Sequence, residues 1–357
     1  MNLPNVIAGT EIPERPYIIA EIGVNHECDM AKALQMIDEC KAYGAHAVKF
    51  QAYKAGTIAS KHSPSYWDTS KEPTTSQYQL FQKYDKFGKE EFEKLKDYSE
   101  QLGIEFLCTP FDVESADYLA PMMSTIKISS SDLTNKPFIE YLCQFGKPII
   151  LSTGASDKEE ISRAVSWIRK FDLPLCLMHC VLNYPTANKD AQLAKITGLK
   201  EAFPDCVIGY SDHTLPEDMS TLQYAWNLGA LVIEKHYTFD KTLPGNDHYH
   251  AMDKNDLTLF ETRLSEEVSG AEIESSEKYG GKELVYTQGE VLSRQNARRS
   301  LVLAKPVAKG AQIAVEDLTW KRPASGVSPA DIDAVIGKTV KNDLAVDDVL
   351  MWEHISE

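Results

Sequence analysis

Two histidines in this sequence follow short apolar runs that resemble buried strands. His213 lies in GYSDHT and His236 in EKHYTFD, and Glu21 ends a third run, YIIAEIG. Neighbouring imidazoles can bind one divalent ion. We therefore predict that His213 and His236 are metal ligands and that Glu21 lies beside them. Two protein ligands leave positions for water and substrate, which is typical of a catalytic ion that polarises a carbonyl group. The alternative is that each histidine only caps its strand through hydrogen bonds.

Two lysines occupy similar positions at the ends of other apolar runs. Lys49 ends AVKFQ and Lys127 lies in IKISSSD, and hydroxyl groups follow neighbouring runs at Thr109, Ser130 and Ser152. Two ammonium groups with several hydroxyl donors suit a ligand that carries phosphate and carboxylate. Two alternatives remain open. Such a lysine can pair with an acid such as Asp112 or Asp132, or it can form a Schiff base as in barrel aldolases.

Three further segments bear on the site. The loop PGNDHYHAMD brings Asn246, Asp247, His248 and His250 together after the last apolar run, and we predict that it binds sugar hydroxyls. The alternative is that these residues only form a polar turn. The long polar and aromatic connection over residues 53–87 is predicted to cover the substrate, because long loops in compact domains tend to be functional. In GASDKEE, Ser156 and Glu159 form a helix N-cap pattern, so no chemistry is predicted there beyond Ser152.

The elements that must position these residues alternate along the chain. Eight apolar runs alternate with helical periodicity at residues 30–43, 89–102, 158–170, 191–203, 217–228 and 257–269. Such alternation predicts parallel strands and a closed (β/α)8 barrel, in which active sites lie at the carboxyl ends of the strands. An open doubly wound sheet is the alternative architecture.

The length of 357 residues exceeds the size at which one hydrophobic core usually stops growing. We predict a barrel domain over residues 1–274 and an aperiodic, charged linker over residues 275–294. A small C-terminal domain of short strands and turns is predicted over residues 295–357, with glycines as punctuation.

Composition excludes several classes of partner. With 37 basic and 53 acidic residues, the formal charge is −16, so nonspecific binding to nucleic acid or to an anionic membrane is not expected. The sequence contains no apolar run long enough to cross a bilayer, and we expect a cytoplasmic protein. Its seven cysteines contain no CxxC pair, so neither a zinc ribbon nor a disulfide framework is predicted.

The ordered motifs EIGVNHE, VKFQ, CTPFD, IKISSSD, ILSTGA, HCVLNYPT, GYSDHT and EKHYTFD resemble the N-acetylneuraminate (sialic acid) synthase family. Its relatives include enzymes that make legionaminic and pseudaminic acids. The C-terminal text KGAQIAVEDLTWKRPASGV resembles the antifreeze-like (SAF, β-clip) domain that follows the barrel in this family. The resemblance covers nearly the whole chain and both predicted domains.

This resemblance implies condensation of phosphoenolpyruvate with an N-acylated aminohexose and water, giving a nine-carbon 2-keto acid and phosphate by C–O cleavage. It implies a divalent metal, commonly Mn or Mg, on His213 and His236. It places Glu21 at a proton transfer and Gln51 and Asp247 near the sugar. Asp132, which stands where some relatives have a longer glutamate, is also predicted to bind substrate. Around phosphoenolpyruvate it places Lys49, Thr109, Lys127, Ser130, Ser152, Tyr184 and Ser211.

Arg322, in KRPASG, resembles an arginine that the antifreeze-like domain inserts into a neighbouring subunit's site, which implies a domain-swapped homodimer. In HCVLNYPT, Leu182 replaces a polar residue of the family pattern, and Asn183 is the candidate to supply the lost contact. The acceptor stays open between N-acetylmannosamine, a 2,4-diacetamido sugar, a sugar 6-phosphate and an unacylated sugar. A noncatalytic carbohydrate-binding or ice-binding protein is the alternative outside enzymes.

Overall fold

The computed structural model describes residues 1–245 and 247–356. It confirms the predicted α/β class, with eight parallel strands in a barrel followed by a small antiparallel pair. The strands are β1 Tyr17–Gly23, β2 Ala47–Ala52, β3 Glu105–Pro110, β4 Ile126–Ile128, β5 Ile149–Ser152, β6 Leu175–Cys180, β7 Val207–Asp212, β8 Val232–His236, β9 Ser300–Leu303 and β10 Leu318–Lys321.

Helices lie between the strands and cover the outside of the barrel. The α-helices of the described residues are α1 Leu3–Ile7, α2 Met30–Ala42, α3 Ala55–Ile58, α4 Gln77–Tyr84, α5 Lys89–Leu102, α6 Val113–Leu119, α7 Lys136–Cys143, α8 Lys158–Arg169, α9 Lys195–Ala202, α10 Ser220–Asn227, α11 Lys254–Arg263, α12 Gly270–Ser275, α13 Val291–Ala297 and α14 Ile332–Val335. None of the described helices is long and apolar enough to cross a membrane.

The hydrogen-bonded order of the eight strands is β3-β2-β1-β8-β7-β6-β5-β4, so β3 and β4 meet at the seam of the barrel. The parallel register sets functional residues side by side. Glu21 on β1 pairs with Lys49 on β2 and with His236 on β8, and Ser211 on β7 pairs with Glu234 on β8. Chemistry-bearing residues of four strands therefore lie at two adjacent levels of the barrel.

The interior of the barrel changes from apolar to polar along the strands. Because side chains alternate between the two faces of a strand, Tyr17, Ile19 and Glu21 of β1 point the same way. Tyr17 and Ile19 belong to a buried apolar cluster at the amino ends of the strands, which the short helix α1 completes through Leu3 and Val6. The barrel thus has an apolar floor, and its polar groups are concentrated at the carboxyl ends of the strands.

Four expectations about local structure need correction. The connections between β3 and β5 contain α6 and α7, and the long connection at residues 53–87 contains α3 and α4, although their sequences showed no clear period. The segment predicted as a linker ends inside α13 and is packed, because Leu284 and Glu290 are buried. Asp157 rather than Ser156 is the N-cap of α8, and its capping box is completed by Glu160.

The C-terminal unit has its own apolar core, centred on Leu301, Leu303 and Val327, and packs against the carboxyl end of the barrel of the same chain. Arg322 forms an isolated parallel bridge with Ala59, and the backbone N–H of Arg322 donates to Ile58 O at 3.0 Å. This contact brings β10 against the loop that follows β2.

Candidate active site

An inner cavity with about 380 Å³ of open space lies at the carboxyl ends of the strands. Eleven residues predicted from the sequence line it, and they come from all eight strands or the turns that follow them. They are Glu21, Lys49, Gln51, Thr109, Lys127, Ser130, Ser152, Tyr184, Ser211, His213 and His236. The structure therefore brings together residues that are up to about 200 positions apart in the sequence.

Two buried ion pairs dominate the floor of the inner cavity. Lys49 Nζ lies 2.5 Å from Glu21 Oε2 and donates to Thr109 Oγ1 at 3.0 Å. Lys127 Nζ donates to both carboxylate oxygens of Glu234, at 2.8 and 2.9 Å. Glu234 was not among the residues predicted from the sequence, although it lies two positions before His236 and therefore on the same face of β8.

Nearby carboxylates favour the charged form of Lys49. Burial opposes the charge on Lys49, but the carboxylates of Glu21 and Glu234 outweigh it and raise the pKa of the ammonium. Burial likewise disfavours the Glu234 carboxylate, but Lys127 and Lys49 lower its pKa to about 2. A Schiff base requires a neutral amine, so the charged state of Lys49 argues against the aldolase alternative at that residue.

Glu21 is different, because its pKa is raised. Burial is the largest cause and the Glu234 carboxylate adds to it, against the opposing influence of Lys49. Gln51 Nε2 donates to Glu21 Oε1 at 2.7 Å and fixes the carboxyl group. A buried carboxyl group with a raised pKa can hold a proton near neutral pH, as a general acid or base must.

Hydroxyl groups on the β4 and β5 side complete the inner cavity. Ser130 Oγ accepts a hydrogen bond of 2.9 Å from the N–H of Gly154, and a Cβ at Gly154 would lie 2.9 Å from that oxygen. The hydroxyl of Ser152 is buried and has no hydrogen-bond partner among the described residues. An unpaired buried hydroxyl facing a cavity is available to a bound ligand.

His236 belongs to a group that fits a metal ion. One ligand atom from each of His236, Asp247 and His250 lies within 4.8 Å of the others. His213 is not part of this group, but its ring centroid lies 5.5 Å from that of His236. Its Nδ1 lies 2.7 Å from Val181 O, which orients the other nitrogen, Nε2, away from the backbone. The predicted pair of histidines is adjacent, and Asp247 and His250 extend it.

Burial lowers the pKa of His213 to about 4 and that of His236 well below its usual value. Both imidazoles are therefore neutral near pH 7, as metal ligands must be. Burial opposes ionisation of Asp247, but its contacts with His250 and His236 lower its pKa, so it is a carboxylate. These protonation states fit a divalent cation bound by nitrogen and oxygen.

A second, outer cavity with about 880 Å³ of open space adjoins the first. Both cavities are lined by Gln51, Phe111, Ser129, Leu182, Tyr184 and His236, so they meet there. The walls of the outer cavity are rich in aromatic side chains, namely Tyr53, Tyr66, Trp67, Phe81, Tyr84, Phe111 and Tyr184. The long connection at residues 53–87 supplies five of these seven rings, which places it against the candidate site as predicted.

Arg322 reaches the outer cavity of its own barrel. Its guanidinium donates to Ser131 Oγ at 3.0 Å, to Tyr66 OH at 3.2 Å and to Gln77 Oε1 at 3.3 Å. It also lies 5.3 Å from the centre of the Phe81 ring. The prediction that Arg322 completes a site is consistent with this position, whereas its insertion into a partner subunit stays a prediction.

Two other residues named from the sequence, Asp132 and Asn183, line neither cavity. The carboxylate of Asp132 is instead bound by Arg299, with Nε and Oδ1 2.9 Å apart. Leu182 lines both cavities, whereas Asn183 lies against Gly289 of the linker. Asn246 lies outside the described residues.

Comparison with known proteins identifies the family. The NeuB family model matches residues 36–273, and the SAF domain model matches residues 298–356. The chain belongs to the NeuB family. This NeuB-family chain is 35% identical to the N,N'-diacetyllegionaminic acid synthase of Legionella pneumophila over 347 residues, which cover 95% of the chain and 94% of that relative.

Two further matches span nearly the whole NeuB-family chain. It is 29% identical to the N-acetylneuraminate-9-phosphate synthase of Drosophila melanogaster, covering 99% of the chain and 100% of the relative. The crystal structure of the spore coat polysaccharide biosynthesis protein SpsE of Bacillus subtilis superposes with a TM-score of 0.79 and 29% identity, covering 96% of each chain. The predicted family, barrel and C-terminal domain are thereby confirmed.

Proposed function

We propose that this protein is a nonulosonic acid synthase that condenses phosphoenolpyruvate with an N-acylated aminohexose and water, releasing phosphate and a nine-carbon 2-keto sugar acid. The observation that carries the proposal is the junction of the two cavities at Gln51, Tyr184 and His236. A small anion in the inner cavity and a sugar in the outer cavity would meet at that junction.

The inner cavity suits phosphoenolpyruvate. The ammonium groups of Lys49 and Lys127 would contact its phosphate and carboxylate, and the unpaired hydroxyl of Ser152 would donate to an anionic oxygen. The carboxylates of Glu21 and Glu234 oppose a bound anion. A proton on Glu21, favoured by its raised pKa, removes one of these charges. Anion binding and protonation of Glu21 are therefore expected to strengthen each other.

In the proposed reaction, C3 of phosphoenolpyruvate attacks the aldehyde carbon of the open-chain sugar, whose oxygen takes a proton. Water then adds to C2, and the C2–O bond breaks to release phosphate. Glu21 is the proposed proton carrier, held by Gln51 Nε2 at 2.7 Å. A divalent metal on His236 and its neighbours would supply Lewis-acid polarisation of the aldehyde oxygen.

The outer cavity favours a neutral, acylated acceptor over a sugar phosphate. Among its described lining residues, Arg322 is the one lysine or arginine, and its guanidinium already donates three hydrogen bonds. Aromatic walls suit methyl and acetamido groups. We propose a 2,4-diacetamido-2,4,6-trideoxyhexose, the kind of acceptor that the name of the Legionella relative implies.

Phosphate release from phosphoenolpyruvate tests this function. Metal-stripped and Mn-reloaded protein is incubated with the diacetamido sugar, N-acetylmannosamine and N-acetylmannosamine 6-phosphate, and products are identified by mass. We expect metal-dependent release with the diacetamido sugar and a product nine carbons long. Phosphoenolpyruvate labelled with oxygen-18 at the bridging position should yield labelled phosphate. Preference for the 6-phosphate would contradict the acceptor, and unlabelled phosphate would contradict C–O cleavage.

A further inference from the structure

His250 lies in the loop after β8 and is fully buried, at 0% exposure. Neither of its ring nitrogens has a hydrogen-bond partner among the described residues. Asp247 Oδ1 lies 3.6 Å from His250 Nε2, which is too long for a good hydrogen bond. Leaving buried polar atoms unpaired costs about 1–3 kcal/mol each, so the arrangement calls for a ligand.

Other buried histidines of this chain have ordinary partners. His248, two residues earlier in the same loop, shares a hydrogen bond of 2.8 Å with Thr238 Oγ1. His213 Nδ1 is hydrogen-bonded to Val181 O, and His179 Nε2 is hydrogen-bonded to Ala191 O, both at 2.7 Å. His236 resembles His250 in this respect, because its Nδ1 also has no hydrogen-bond partner among the described residues. Unpaired ring nitrogens are thus concentrated on two neighbouring rings whose centroids are 4.9 Å apart.

The loop that carries His250 is tied to the barrel. Asn25, which follows β1, donates its side-chain amide to Tyr237 O at 2.9 Å and to Asp247 O at 3.1 Å. The backbone N–H of Met252 donates to His236 O at 2.7 Å. These bonds on both sides of His250 hold the loop against the end of β8, so His236, Asp247 and His250 form a preorganised set.

We propose that His250 is a metal ligand in this protein, acting with His236 and Asp247 at the junction of the two cavities. Two imidazoles and one carboxylate favour Mn, Fe, Co or Zn over Mg, which prefers oxygen ligands. The proposal deepens the proposed function, since it assigns the residues that hold the metal of the same site. His250 then distinguishes this metal site from one that is built on His213 and His236 alone.

Metal binding measured directly tests the proposal. Free Mn²⁺ is quantified by electron paramagnetic resonance during titration of metal-stripped wild-type protein and of the variants His250→Gln, His250→Phe and Asp247→Asn. The phenylalanine variant retains ring packing against Tyr184 and Tyr249 but removes the nitrogens. We expect one tight site in the wild type and a loss of at least about 30-fold in affinity in all three variants, since even outer-shell partners are worth 10–100-fold.

Controls separate ligation from folding. His248→Gln keeps a hydrogen-bonding group for Thr238 and should change Mn²⁺ affinity less than about threefold. Thermal melting without metal should be similar for His250→Phe and the wild type. In pulsed measurements of bound Mn²⁺, nitrogen couplings should weaken in both His250 variants. Wild-type Mn²⁺ affinity in both His250 variants would overturn the ligand assignment while leaving metal-dependent synthesis intact. A wild-type protein that binds no metal but still condenses the substrates would overturn both the ligand assignment and the metal step.

Discussion

The carboxylate of Glu290 accepts a hydrogen bond of 2.8 Å from the backbone N–H of Leu182. The same oxygen accepts one of 2.6 Å from Ala155, in the turn after β5. Leu182 lines both cavities, and the turn that contains Ala155 follows Ser152, which lines the inner cavity. A residue of the segment that joins the two domains therefore holds two loops of the candidate active site.

Replacing Glu290 with alanine should damage the site as well as the fold. Hydrogen bonds to charged groups contribute about 1.5–3 kcal/mol each, and both loops lose their common acceptor. We expect phosphoenolpyruvate binding, measured by calorimetry, to weaken at least about tenfold in Glu290→Ala. Glu283→Ala, at an exposed position of the same segment, is the matched control and should bind normally. Equal phosphoenolpyruvate binding by Glu290→Ala and Glu283→Ala would show that Glu290 does not position the site.

Glu234→Gln should strongly destabilise the protein. It removes the carboxylate that compensates Lys127, and loss of one partner of a buried ion pair costs about 3–5 kcal/mol. Urea unfolding measures the free energy. The double variant Lys127→Met with Glu234→Leu removes both charges and should recover part of that stability without phosphate release. A single variant as stable as the wild type would show that the pair is not structural.

Asp132 is predicted to stabilise the contact between the domains. Asp132→Asn leaves the buried Arg299 without its carboxylate, which should lower the free energy of unfolding by about 3–5 kcal/mol. Asp331→Asn removes another contact between the domains, the partly exposed pair with Arg163, and should cost less than about 1 kcal/mol. Similar losses of unfolding free energy in the two variants would contradict the expectation that the buried pair contributes more than the exposed one.

Acidification from pH 6.5 to 5 should destabilise the protein, because several buried histidines are neutral when folded. Burial lowers the pKa of His179 to about 3 and those of His26 and His46 to about 4. In this range the unfolded chain binds more protons than the folded one, so the free energy of unfolding falls as pH falls. His179→Gln should reduce that slope by up to about 1.4 kcal/mol per pH unit. An unchanged slope in urea titrations would mean that folded His179 is protonated.

Mixing two inactive variants decides which chain supplies Arg322. Arg322→Ala is combined with Lys49→Ala, and the proteins are unfolded and refolded together. In the arrangement described here, Arg322 lies in the cavity of its own barrel, so a mixture should stay inactive. The domain-swapped homodimer predicted from family resemblance would instead give hybrid dimers with one intact site and about a quarter to a half of wild-type phosphate release. Each variant refolded alone is the control.

The sequence predicted the barrel and most of the inner cavity for a simple physical reason. Parallel strands buried on both faces read as apolar runs, and their carboxyl ends must meet at one face of the barrel. Lys49, Lys127 and Ser152 could therefore be assigned to one site from their positions in those runs. Glu234 could have been assigned in the same way, because it lies two positions before His236 and therefore on the same face of its strand.

The remaining features depend on contacts between distant segments. No local pattern indicates that Arg299 binds Asp132, since 167 positions separate them. Similarly, the Ser275–Arg294 segment reads as a linker because it is charged and aperiodic, yet Glu290 is buried by contacts with loops that local sequence cannot specify. The proximity of Asp247 and His250 to His236 likewise depends on where the loop after β8 folds.

The apolar floor formed by Leu3, Val6 and Tyr17 restricts ligand entry to the other end of the barrel. With its base sealed by these side chains, the inner cavity communicates with solvent on the side where the outer cavity lies. An acceptor sugar seated in the outer cavity would then obstruct the route to the lysines. Under the proposed function, phosphoenolpyruvate would have to enter before the sugar and phosphate would have to leave after the sugar acid, so the nesting of the cavities would impose a kinetic order on turnover.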